Sequence, residues 1–264
     1  MKMNHSHLKN SAGFTLIEIM IAMAIAGMVL TGIFQVYARQ MRINNTQSQV
    51  VDMQQNARVG MYFMERDIRI AGLDPSGLAD SGIDVASADN ITVSLDITGG
   101  EADGVDNDRN GTVDDAGEYF DGIPEQVTYT LSNDANPQDG VNDALQGVNN
   151  NPCHLMRNGQ RLASNVDALN FVYMGIDDAV AGCEENCLLV NPTTAEELRN
   201  IRAVQITLIA RAGETIPGLS VPFTDDNTYS NQPIAGNIIL PVQNDGFRRV
   251  RLVSEVKCRN IGLM

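Results

Sequence analysis

Residues Phe14 to Phe34 form a run of 21 residues that carries one formal charge, Glu18. As a helix, at 1.5 Å per residue, such a run is about 31 Å long, the thickness of a bilayer's hydrocarbon core. It follows a polar leader, residues 1–13, "MKMNHSHLKNSAG", which holds Lys2 and Lys9. A cleaved secretory signal fits poorly. The run exceeds the usual apolar core of about 7–15 residues, and no small-x-small site closes it. A carboxylate near the end of a spanning helix also needs a reason, because at the centre it would cost about 2.5–3.5 kcal/mol. Glu18 therefore calls for a partner.

The stretch "GFTLIEIMIAMAI" resembles the class III signal of type IV prepilins: a short basic leader ending in Gly, then Phe, then Thr-Leu-Ile-Glu. The resemblance implies that a prepilin peptidase cuts between Gly13 and Phe14 and methylates the new amino group of Phe14. Glu18 then becomes the fifth residue of the mature chain. Helices packed side by side in a filament can stagger, so that the amino terminus of one Phe14 meets Glu18 of a neighbour. A paired charge is tolerated in apolar surroundings where a lone one is not. A carboxylate in the first helical turn also gains a few tenths of a kcal/mol from the helix dipole.

No proline occurs from Phe14 to Leu73. Val50, Ala57, Met61, Met64, Ile68 and Ala71 recur at three-or-four spacing and form one apolar stripe. One helix is expected from Phe14 to Ala71, with residues 14–34 in membrane or filament core and residues 35–72 an amphipathic continuation. Gly72 and Pro75 mark its end. Major pilins often carry a proline about twenty residues into the mature helix, where this chain has Gln35; Gly27 and Gly32 are its soft points.

Beyond the helix, residues 73–264 read as a β-rich globular domain. The period changes to two in "ITVSLDI" (91–97) and "QVTYTL" (126–131). Asn158-Gly159 centres a hairpin over 154–163. Further strands are expected at 168–176, 201–211 and 237–242. The last, 248–258, sets Val250, Leu252, Val256 and Cys258 on one face and Arg249, Arg251 and Lys257 on the other. The fold class is α+β: a long N-terminal helix on a mostly antiparallel sheet. The order of these segments resembles PilW-type minor pilins, relatives of the J-type pseudopilins of type II secretion.

The chain holds 33 acidic against 18 basic residues, a net charge of −15. That balance repels nucleic acid and suits a hard cation. Residues 101–122 concentrate it, with eight acids and one Arg109. Asp106, Asp108, Asn110, Thr112 and Asp114 or Asp115 stand at the alternate positions of a calcium loop, with Gly111 at the turn. The closing glutamate, Glu118, comes one residue later than an EF-hand requires. A structural Ca2+ is expected here, ordering a loop that its own charge would otherwise hold open; the rival is a solvated acidic loop.

Four cysteines, Cys153, Cys183, Cys187 and Cys258, follow the membrane-directed segment. Two disulfides are expected, paired 183–187 and 153–258, over a zinc site that the C-x3-C spacing does not favour. Catalysis is not expected. His154 follows Cys153 on a strand, so the two side chains diverge. No nucleophile elbow, phosphate loop or zinc-protease motif occurs.

These features together suggest a minor pilin at or near the tip of a type IV pilus, helping to prime assembly. The alternatives are a J-type minor pseudopilin and a calcium-dependent adhesive tip module. The resemblance implies, as partners, other major and minor pilins, the prepilin peptidase and an inner-membrane assembly platform. It implies a single-pass chain of the inner membrane, with its domain in the periplasm, and a place on the cell-surface pilus after assembly.

Overall fold

A computed structural model describes residues 13–74, 80–97, 111–113, 125–132, 153–176, 187–190, 192–212 and 223–261. The chain divides into two compact units, residues 1–48 and 49–264. One helix, α1 (Leu16–Ile70), contributes to both. Its bounds lie within two residues of those expected.

In the first unit α1 is bare. Leu16, Met20, Met23, Met28, Leu30 and Phe34 are all well exposed. A water-soluble helix would cover such a surface, so this part of α1 is built for an apolar environment. It is also the one helix among the described residues long and apolar enough to cross a membrane.

In the second unit α1 becomes one-sided. Met53, Ala57, Gly60, Met61, Met64, Asp67 and Ile68 are buried, at the three-and-four spacing that places them on one face. Five of the six stripe residues read from the sequence lie in the core, and the sixth, Val50, packs against it. Gly60 lets the helix approach the sheet closely: a Cβ there would meet Leu155 Cδ2 at 2.7 Å. The helix ends in a left-handed Gly72, at φ +77, as its glycine predicted. Asn260 Nδ2 donates to the orphan Ile70 carbonyl at 3.3 Å.

The sheet is antiparallel in every strand pair. Its order is β1 (Ile83–Ala86), β2 (Ile91–Leu95), β3 (Glu125–Leu131), β4 (Cys153–Arg157), β5 (Gln160–Gly175), β7 (Ile201–Arg211) and β10 (Arg249–Lys257). The short β6 (Cys187–Leu189) pairs with the far end of β5. Asn158 and Gly159 make the expected β4–β5 hairpin, both at positive φ. The arm expected to stop at 163 instead runs on into the next strand: β5 is one strand with irregular pairing near Val166. A capped turn of helix, α2 (Ala195–Arg199), leads into β7.

Each central strand uses both faces. Val166, Leu169, Phe171, Val204, Ile206, Leu208 and Val256 face the α1 core. On the opposite face Ala168 and Ile209 meet Ile239 and Leu240 of a strap, residues 223–247. The strap contains the two-stranded pair β8 (Tyr229–Ser230) and β9 (Ile238–Leu240), and an isolated bridge, Asp225 to Asp245, closes its base. The outward parity expected for Arg249 holds, but the strap buries it. Its side chain is fully covered, with Nε 2.7 Å from Asp167, Nη1 3.0 Å from Asp225 and Nη2 2.6 Å from Asp245.

The expected 153–258 disulfide does not form; both residues are buried thiols. Register explains why. Cys153 lies opposite Val166, Val166 opposite Ala210, and Ala210 opposite Val250. Cys153 is thus about 14 Å from β10 across three strand spacings, and Cys258 lies a further 26 Å or about that along it. A bridge needs Cα atoms within about 7 Å. Cys187 is disulfide-bonded; Cys183 lies outside the described residues.

Candidate assembly site at the helix N-terminus

Gly13, Phe14 and Thr15 precede the first helical residue in non-helical conformation. A Cβ built on Gly13 would meet nothing within 4 Å, and Phe14 is 84% exposed. The bond between them therefore lies outside the helix and open to an enzyme.

Thr15 is the N-cap of α1 and Glu18 stands three residues on. Glu18 Oε2 accepts from the Thr15 backbone N–H at 2.8 Å and from the Thr15 hydroxyl at 2.9 Å. The Glu18 N–H donates to Thr15 Oγ1 at 3.3 Å. This is a reciprocal capping box, which satisfies two orphan donors of the helix end. The other carboxylate oxygen, Oε1, makes no hydrogen bond among the described residues. Among the described residues Glu18 is thus bonded through one carboxylate oxygen. Thr15 was not expected to take part, although Thr-x-x-Glu before an apolar run is the signature of such a box.

Residues 8–34 match the model of the prokaryotic N-terminal methylation motif. The chain carries that motif. Gly13, Phe14 and Glu18 all lie within the matched stretch, and the architecture behind it is α+β, a long helix on an antiparallel sheet. No curated protein matches the chain. Among solved structures it is similar to a type IV-like pilin from Thermus thermophilus, at 14% identity and a TM-score of 0.40, covering 79% of this chain and 97% of that one.

Most of the remaining expected site residues cannot be placed in the fold. Asp106, Asp108, Asn110, Asp114, Asp115 and Glu118 lie outside the described residues; Thr112 is described and exposed. Among the described residues no three His, Cys, Asp or Glu side chains gather as a metal site. A cavity of about 610 Å³ lies between the start of β1 and α2. Its best-placed charges, Arg199 and Asp80, bond each other at 2.7 Å.

Proposed function

We propose that the chain is a minor pilin: a structural subunit that enters a type IV pilus at or near its tip and helps to prime assembly. The observation that carries this reading is the methylation motif over residues 8–34, which includes Gly13, Phe14 and Glu18. Removal of the leader creates an amine on Phe14. The open Oε1 of Glu18 on a neighbouring subunit is the natural acceptor for that amine. Thr15 holds the carboxylate at the helix start and satisfies it in part, so the unassembled chain carries a smaller desolvation cost.

In this reading the chain waits as a single-pass protein of the inner membrane with residues 49–264 outside the cytoplasm. A prepilin peptidase processes it, and an assembly platform moves it into contact with other pilins. The acidic loop 101–122 holds a structural Ca2+ on Asp106, Asp108, Asn110, Thr112 and Asp114 or Asp115, with Glu118 nearby.

The test is Glu18→Ala in cells, with leader removal followed by intact mass and incorporation followed in sheared filaments. Processing should proceed and incorporation should fall at least tenfold. Incorporation at the parent level would end the docking argument.

A further inference from the structure

From Ile19 to Val51 the chain has two charged residues, Arg39 and Arg42, and no acid. In a chain of net charge −15 that is a sharp local reversal of sign. The two stand three apart on α1 and so share a face. Both are exposed, and neither makes an ion pair among the described residues. Their polar neighbours are already occupied: Gln40 donates to Asn44 at 3.2 Å, and the Thr46 hydroxyl donates to the Arg42 carbonyl at 3.0 Å.

Position along the helix gives these cations a level. Between Glu18 and Arg39 the helix rises about 31 Å, the depth of a hydrocarbon core. Tyr37, 60% exposed, stands just before them, where aromatic rings anchor at the membrane–water interface. Guanidinium groups one turn further reach the layer of phosphates, and their planar forks suit phosphate oxygens.

We propose that Arg39 and Arg42 form a binding site for the phosphates of anionic phospholipids on the outer face of the membrane. The site rests on the reading that the first half of α1 spans a membrane. Its occupant is a lipid headgroup, and its role is to hold the unassembled subunit at a fixed depth until it is drawn into a filament.

The chain has no tryptophan, so Tyr37→Trp supplies a single reporter beside the site. The full-length chain would be reconstituted in phosphatidylcholine vesicles containing a minor fraction of phosphatidylglycerol. Either lipid would carry the brominated, quenching acyl chain. Brominated phosphatidylglycerol should quench more than its overall share predicts, since each arginine near the surface enriches an anionic lipid about fivefold at low salt. The excess should fade at high salt and disappear in R39Q/R42Q, but persist in R58Q, a change at another exposed arginine of α1. Equal quenching by both lipids would overturn the site while upholding the spanning helix. Quenching by neither would overturn both. An excess abolished by inorganic phosphate at constant ionic strength would assign the site to free phosphate and overturn the lipid reading.

Discussion

The Asp67 carboxylate on α1 accepts a 2.6 Å hydrogen bond from the Tyr129 hydroxyl on β3, inside the core. Arg157 Nε on β4 donates to the same oxygen at 2.9 Å, and Arg66 pairs with the other oxygen at 2.8 Å. Burial, and then Asp67, push the Tyr129 hydroxyl well above its ordinary pKa, so it stays protonated and donates. One carboxylate therefore locks α1 to two strands, and an apolar stripe alone would not fix that register.

Replacing Asp67 should cost more than its bonds are worth, because three partners, Tyr129, Arg157 and Arg66, lose their acceptor. Asp67→Ala is expected to destabilise the full chain by about 2–3 kcal/mol, below the range for a fully buried pair because Arg157 retains solvent. Tyr129→Phe should cost about 1 kcal/mol. Urea unfolding in detergent measures both, and equal costs would refute the central place given to Asp67.

Arg249 faces three carboxylates in a closed site. Arg249→Met should leave Asp167, Asp225 and Asp245 without their shared cation and cost about 3–5 kcal/mol. Hydrogen exchange should rise first in residues 223–247, the strap that Arg249 holds. Exchange that rises evenly over the whole domain would mean that Arg249 supports the core and does not specifically hold the strap.

Acid should loosen the same strap. Burial pushes Asp225 and Asp245 up, but their hydrogen bonds, chiefly from Asn227 and Arg249 for Asp225 and from Arg249 for Asp245, outweigh it and set both below the ordinary 3.8. A lowered folded pKa gives stability that is present above the unfolded value and lost as pH falls through the folded one. Asp167 acts in the opposite sense, since burial raises it despite Arg211 and Arg249; falling pH favours its protonated folded form and offsets part of the loss. Strap exchange should therefore rise mainly below about pH 4, and Asp245→Asn should flatten that rise.

The helix and its stripe were legible because helical spacing repeats over many residues and no proline interrupts it. Strand parity was legible too: Val250, Leu252, Val256 and Cys258 do share the α1 side of β10. Two things were not. Parity gives a face but not a level along a strand, so Cys153 and Cys258 could be placed on one side yet not at opposite ends of it. The cover over the outward Arg249 was hidden as well, because no pattern in 223–247 announces a strap that returns over it. Asp67 was hidden for a similar reason: a lone acid in a helix looks like surface until its partners arrive from β3 and β4.

The thiols give a direct check on register. The denatured, unreduced chain should titrate two thiols, Cys153 and Cys258. The folded chain should react slowly, since both are buried and burial pushes Cys258 up to about 12. A denatured chain with no thiols would mean that the strand register is wrong.

Calcium can be tested without a map of its loop. If residues 101–122 hold the ion at a hundred times its Kd, chelation should remove about 2.7 kcal/mol and lower Tm by several degrees. Asp106→Asn with Asp108→Asn should abolish the effect of chelator. An unchanged Tm in chelator would leave a solvated acidic loop.

The end of α1 is finished by residues made long after it. Asn260 reaches the Ile70 carbonyl, Ile261 packs into the same core, and β10 completes the sheet beside β7. A ribosome that has released the helix must still supply almost the whole domain before the socket for its last turn exists. Closure is therefore a late, long-range event, of the kind that makes folding slow. The N-terminal segment has time to settle in its apolar surroundings before the domain locks onto its other half.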